Sequence, residues 1–174
     1  MSRVFGQIRQ LGYVVDDIEA AMKHWTEVLG IGPFFYFPKI TVVDSIYRGE
    51  PQPLELAVAL SNSGPLQIEL MTQLNDTPSA LTEFSAEHGE GLHHIAYWTD
   101  KFDAKLAEVK AAGYQVWHSG AIGSNDNRFA YLTTHSHGGT VVELSEISGV
   151  KGQLFAHIAQ VAAAWDGTNP IRKL

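Results

Sequence analysis

The 174-residue chain contains no cysteine. Disulfide staples, thiol nucleophiles and thiolate metal ligands are therefore excluded, any metal must sit on nitrogen and oxygen, and the composition fits a reducing compartment. Basic residues are also scarce: twelve Lys and Arg stand against nineteen Asp and Glu, for a formal net charge of −7. That balance supplies no basic patch for a nucleic-acid backbone. Long apolar runs are missing too. No window approaches the roughly 18 residues that a membrane-spanning helix needs, and residues 1–10, with Arg3 and Arg9, show no signal-peptide core. The expectation is a soluble, cytoplasmic protein whose partners include neither nucleic acid nor membrane. With 45% hydrophobic and 18% charged residues, the chain has the composition of a globular protein, and its length suits one domain.

What the chain does have is an internal repeat, which governs how every other signal is read. Gln10-Leu-Gly-Tyr-Val-Val-Asp-Asp-Ile-Glu-Ala aligns with His94-Ile-Ala-Tyr-Trp-Thr-Asp-Lys-Phe-Asp-Ala, pairing Tyr13 with Tyr97, Asp16 with Asp100 and Ala20 with Ala104. Leu66-Gln-Ile-Glu-Leu aligns with Thr140-Val-Val-Glu-Leu, pairing Glu69 with Glu143. Each half opens on an apolar strand-like run. In the first, Asp16 or Asp17 can cap a helix on which Ile18, Ala21, Met22, Trp25, Val28 and Leu29 recur at helical spacing up to Gly30. In the second, Asp100 precedes a helix carrying Phe102, Leu106 and Val109. Short β-like runs follow: Phe34 to Pro38, Leu54 to Leu60 and Leu66 to Met71, then Tyr114 to His118, Phe129 to Thr133 and Thr140 to Ser145. Asn62-Ser-Gly-Pro and His137-Gly-Gly read as hairpin closures.

The predicted fold is α+β: two paired βαβββ modules forming a curved eight-stranded sheet cleft, plus a C-terminal helix. The whole chain is expected to be a single domain. Module one covers about 8–75, a connecting helix about 78–88, module two about 91–147, and the terminal helix about 151–166.

The repeat puts polar side chains at matching strand positions. Gln10 and His94 open the first strands, and Glu69 and Glu143 sit inside apolar runs. Strand side chains alternate between faces, so Gln10 groups with Gly12 and Val14, and Glu69 with Gln67 and Met71. Two carboxylates converging in an apolar cleft repel each other and lose hydration, and a divalent cation compensates for both.

Gln10-Leu-Gly-Tyr-Val-Val-Asp-Asp, Gln67-Ile-Glu-Leu, Gly91-Leu-His-His-Ile-Ala-Tyr and Gly138-Gly-Thr-Val-Val-Glu-Leu resemble motifs of the vicinal oxygen chelate superfamily. That group includes glyoxalase I, bleomycin resistance proteins, methylmalonyl-CoA epimerase and extradiol dioxygenases, and the resemblance spans about residues 8–147. It implies a metal held by Gln10, Glu69, His94 and Glu143, with His93 turned to the opposite face. Three oxygen donors and one imidazole suit zinc, nickel, cobalt or manganese, with magnesium or iron poorer choices. The resemblance further implies a homodimer and a small-molecule substrate. The expected activity is that of a lyase or isomerase, methylmalonyl-CoA-epimerase-like or glyoxalase-like, which removes a proton beside a metal-bound carbonyl. Glu143 is the first choice as base and Glu69 the second.

Candidates for the substrate pocket are Trp98, Arg128 and Glu50, with Arg48 a further cation. Trp98 should share the face of His94 and wall the cleft. Two other activities fit parts of the pattern. A ring-cleaving extradiol-type dioxygenase would carry His where Gln10 stands, and a non-catalytic bleomycin-resistance-type binding protein would not need the complete ligand set. His135 and His137 read as solvated loop residues.

Overall fold

The computed structural model describes residues 2–135 and 141–174. His137, Gly138 and Gly139, where the sequence suggests a hairpin closure, lie outside the described residues. Module one runs β1 (Ile8–Val14), α1 (Ile18–Glu27), β2 (Phe34–Tyr47), β3 (Glu50–Pro51), β4 (Leu54–Ser63) and β5 (Leu66–Gln73). After α2 (Ala80–His88), module two runs β6 (Gly91–Thr99), α3 (Phe102–Ala111), β7 (Gln115–Ile122), β8 (Arg128–Thr133) and β9 (Val141–Glu146). The chain ends with α4 (Val150–Ala163) and β10 (Ile171–Lys173). The fold is α+β, built from the βαβββ-like modules and C-terminal helix that the repeat predicts. No helix among the described residues is long and apolar enough to cross a membrane.

Local chemistry accounts for most element ends. The Asp17 side chain accepts from the amides of Glu19 and Ala20 at 3.1 and 3.0 Å, capping α1. α2 starts on a capping box between Ser79 and Thr82. α3 differs from the first helix: its cap position is Lys101, which makes no side-chain cap bond, so Asp100 does not do in module two what Asp17 does in module one.

The strands run in the order β2-β4-β5-β1-β6-β9-β8-β7, and β7 pairs back onto β2, so eight strands form a closed mixed sheet. Closure depends on β2, which is far longer than the Phe34 to Pro38 run anticipated. Pro38 lacks a ladder donor, and the register against β4 shifts between Phe37 and Ile40. Beyond that irregularity the strand continues, pairing β4 as far as Val42 and β7 from Val42 to Tyr47. One strand thereby serves both modules. β10 adds a short parallel edge at Phe34 to Tyr36.

Alternation along the strands sorts the core into three parts. Leu56, Val58 and Leu60 of β4 point into the barrel with Met71, Phe129 and Tyr131, while Ala57 and Ala59 pack outward with Ile18 and Met22 of α1. α3 covers the matching outer face of module two through Phe102 and Val109. α4 behaves differently from both. Its Phe155 and Ile158 join the interior cluster, so this helix caps the barrel instead of packing on a sheet face.

Candidate metal centre

Strands β5, β1, β6 and β9 lie side by side, and their register brings the repeat-related residues together. Gly12 sits opposite Glu69 on one side and His94 on the other, and Ala96 sits opposite Glu143. The carboxylates of Glu69 and Glu143 and the His94 ring offer ligand atoms that all lie within 4.8 Å of one another. His94 Nε2 is 3.0 Å from Glu143 Oε2 and 3.5 Å from Glu69 Oε2. Gln10 is buried and lines the same cavity as both glutamates.

Gln10 and His94 are each held by a neighbour outside the cluster. Gln10 Nε2 donates to Gln67 Oε1 at 2.8 Å, which leaves the Gln10 carbonyl oxygen buried with no hydrogen-bond partner. The His94 ring lies over Gly12, where a Cβ would fall 2.0 Å from His94 Cε1. Only glycine leaves room for the imidazole there. His93 Nδ1 and His94 Nδ1 are 3.1 Å apart. If Nε2 of His94 faces a cation, its Nδ1 carries the proton and donates to His93, fixing both tautomers. Burial, then the proximity of His94, pushes His93 well below its ordinary pKa, so it is neutral and able to accept.

His93 is not turned to the opposite face, as strict alternation along the strand would require. The β1–β6 register slips between Gly12 and Tyr13, and the rings of His93 and His94 both pack on Tyr131, at 4.9 and 5.0 Å between centroids. A bulge of this kind re-aims a side chain that alternation would send outward.

In the metal-free protein the two carboxylates are biased in opposite directions. Burial raises the Glu69 pKa, and the charge of Glu143 adds to the rise, which the nearby His94 only partly offsets. Burial works on Glu143 in the same sense, but His94 and Lys151 outweigh it and hold this carboxyl below its ordinary value. Burial disfavours the His94 imidazolium, yet the two carboxylates overcome it and hold the group up to about 9. A buried diacid that retains a histidine proton as its counter-charge has the electrostatics of a cation site. The residues fit a divalent metal: mixed oxygen and nitrogen donors, with the Gln10 carbonyl oxygen and His94 Nε2 buried and making no directed hydrogen bond.

The cluster opens onto a cavity of about 570 Å³. Leu56, Val58, Leu60, Met71 and Phe129 form its wall, and α4 closes one side with Val150, Lys151, Leu154 and Phe155. Lys151 was not singled out from the sequence. It is buried, and Nζ donates to the carbonyls of Asn127 and Arg128 at 3.2 and 3.0 Å and to Ser145 Oγ at 3.0 Å. Burial lowers its pKa to about 8, against the raising influence of Glu143, Glu69 and Glu146. A lone Lys in an otherwise amphipathic helix is normally solvent-facing, so sequence pattern gave no signal for it. Gly12 was readable as a neighbour of Gln10, but its role depends on a strand from the other module.

The expected pocket residues lie elsewhere. Trp98 stands on the interior face but packs against Phe155 of α4, at 4.9 Å between ring centroids, with the Arg9 guanidinium over it. α4 thus separates Trp98 from the cavity. Arg128 ion-pairs with Asp103 and Glu146, each at 2.7 Å, and lies outside the cavity. Arg48 is paired with Glu83 at 2.6 Å. Glu50 is exposed in β3 at the outer end of β2. His135 is exposed.

The chain matches the model of the Glyoxalase/Bleomycin resistance protein/Dioxygenase superfamily over residues 9–131, and it belongs to that family. A methylmalonyl-CoA epimerase from Mycobacterium tuberculosis superposes with a TM-score of 0.59 at 20% identity, covering 84% of this chain and 91% of that one. Another methylmalonyl-CoA epimerase gives 0.54 at 22% identity, with 83% and 97% covered. A hypothetical protein from Bacillus halodurans C-125 gives 0.56 at 22% identity, with 80% and 93% covered. At these identities the likeness is one of fold. A search of curated proteins returns no match.

Proposed function

We propose that the protein is a divalent-metal-dependent isomerase or lyase that moves a proton on the carbon next to a carbonyl, in the manner of methylmalonyl-CoA epimerase or, second, of glyoxalase I. The observation that carries this reading is the Glu69–His94–Glu143 cluster, whose two carboxylates line the cavity. Gln10, Glu69, His94 and Glu143 would hold zinc, nickel, cobalt or manganese. The bound cation would supply a Lewis acid to the substrate's carbonyl oxygen, acidifying the neighbouring C–H.

Glu143 is the first candidate to take that proton at a carboxylate oxygen. Lys151 favours its ionised form, which a base requires. Glu69 is the second candidate. The apolar wall excludes water, which strengthens every charge interaction inside. The glutathione-dependent form of the activity is the weaker choice, because Arg48 and Arg128, its candidate cations, are spent on carboxylates outside the cavity. On this reading the chain acts as one domain of two modules, in a cytoplasmic homodimer whose assembly sedimentation would test.

The central test combines two measurements on protein purified without chelator. Metal analysis is expected to find a bound divalent ion that is lost in Gln10→Ala, Glu69→Ala and His94→Ala. Incubation with acyl-CoA thioesters in heavy water is expected to exchange the proton next to the thioester carbonyl. Unchanged metal content in the three variants would sink the site, and binding without exchange would favour a sequestering protein.

A further inference from the structure

The cavity is much larger than the metal chemistry requires. At about 570 Å³ it falls in the range of sites that enclose drug-sized ligands, roughly 300–1,000 Å³. A methylmalonyl or methylglyoxal fragment held at Glu69 and Glu143 would fill only part of it. Most of the wall surface is apolar, and unfilled apolar space forfeits packing contacts that a protein interior normally makes. Oxygen donors from Gln10, Glu69 and Glu143 are set in this wall beside Ser145 and Lys151, among a larger number of hydrocarbon side chains. Such a layout suits a ligand with oxygens at its head and a hydrocarbon body behind them.

α4 fixes how long that body can be. The three hydrogen bonds of Lys151 Nζ tie the first turn of the helix to β8 and β9, and Phe155 is wedged on Trp98. Leu154, between these two anchors, lines the cavity. From this geometry we propose that the substrate carries an apolar body bulkier than a methylmalonyl fragment behind its metal-binding oxygens, and that Leu154 determines the size accepted. The inference rests on the metal reading for the head of the substrate, and on the cavity alone for its body.

The probes are straight-chain hydroxamates from acetohydroxamate to decanohydroxamate, which offer two adjacent oxygens and a tail of chosen length. Full-length protein, zinc-loaded and separately EDTA-treated, is titrated calorimetrically with each. Affinity is expected to rise about three- to fourfold for every methylene added until the cavity fills. Leu154→Trp should bring that plateau several methylenes earlier while leaving acetohydroxamate binding unchanged, and Leu154→Phe serves as a milder version should the larger ring prevent folding. Affinity independent of tail length would overturn the proposal, as would a Leu154 variant that weakens short and long probes equally. A tail-length dependence that persists when zinc makes no difference upholds the apolar body and defeats the metal site. Zinc-dependent binding with no length dependence does the reverse.

Discussion

The two modules place equivalent residues in equivalent slots and then support them by different means. In module one, Gln10 is held from across the ladder: the residue beside it in register is Gln67, whose carbonyl oxygen takes the amide hydrogen. In module two the matching slot opposite His94 is filled by Val141, which has no polar atom to offer. The imidazole is held instead from its own strand, by His93 turned inward at the slip in register. The carboxylates diverge likewise, Glu69 pushed toward its neutral form and Glu143 held ionised by His94 and Lys151. Duplication therefore fixes where the candidate ligands stand, and unequal neighbours decide the state of each. Two environments that drive paired carboxyls in opposite directions are also what acid–base chemistry uses.

That comparison can be broken most forcefully at the carboxylates. Glu143→Gln is expected to lower the rate of proton exchange by about 10²–10⁴-fold, the worth of a positioned base, and Glu69→Gln to lower it less; the reverse order, in deuterium-exchange rates measured at saturating metal, would move the base to module one. Next come the small residues at matching positions. Gly12→Ala drives a methyl group into the His94 ring and should weaken zinc binding about 100-fold, at the upper end for disturbing a ligand's support. Ala96→Gly, its counterpart, only removes a buried methyl and should cost about 1 kcal/mol of stability with zinc affinity intact. Competitive chelator titration and urea unfolding separate the two.

A smaller effect is the pH dependence of metal uptake. Because His94 titrates at about 9 in the metal-free protein, a metal must displace its proton, and affinity should climb by up to about tenfold per pH unit toward that value before levelling. The same raised pKa contributes stability that is complete below the ordinary value of 6.5 and is lost as the pH rises through about 9. Lys151 acts in the opposite sense: its lowered pKa makes stability rise between about 8 and 10.5. Lys151→Met should destabilise the protein by about 1–3 kcal/mol at neutral pH, since the carbonyls of Asn127 and Arg128 and the Ser145 hydroxyl lose a buried donor. The metal-free variant should also lose stability more steeply than the parent above pH 8, as read by urea unfolding at a series of pH values.

Much of the architecture was legible because it depends on local pattern. Asp17 caps α1 through its own neighbours, and the alternation of Leu56, Val58 and Leu60 with Ala57 and Ala59 identifies a strand buried on both faces. The second half of β2 was not legible, because Pro38 reads as an end and the pairing with β7 lies about seventy to eighty residues away. Trp98 shows the same limit. Its face follows from strand alternation, but the α4 side chain that covers it comes from beyond the second module.

The sequence by itself determined the duplicated βαβββ plan and the four strand positions at which metal-competent side chains recur, since both follow from periodicity and spacing along one chain. Only the tertiary structure decided that β2 closes the sheet, that His93 turns toward His94, that Gly12 makes room for an imidazole from the other module, and that α4 brings a buried lysine to the cavity. Each of these depends on which distant segments are brought into contact, and packing between such segments leaves no repeat or period in the chain from which it could be read.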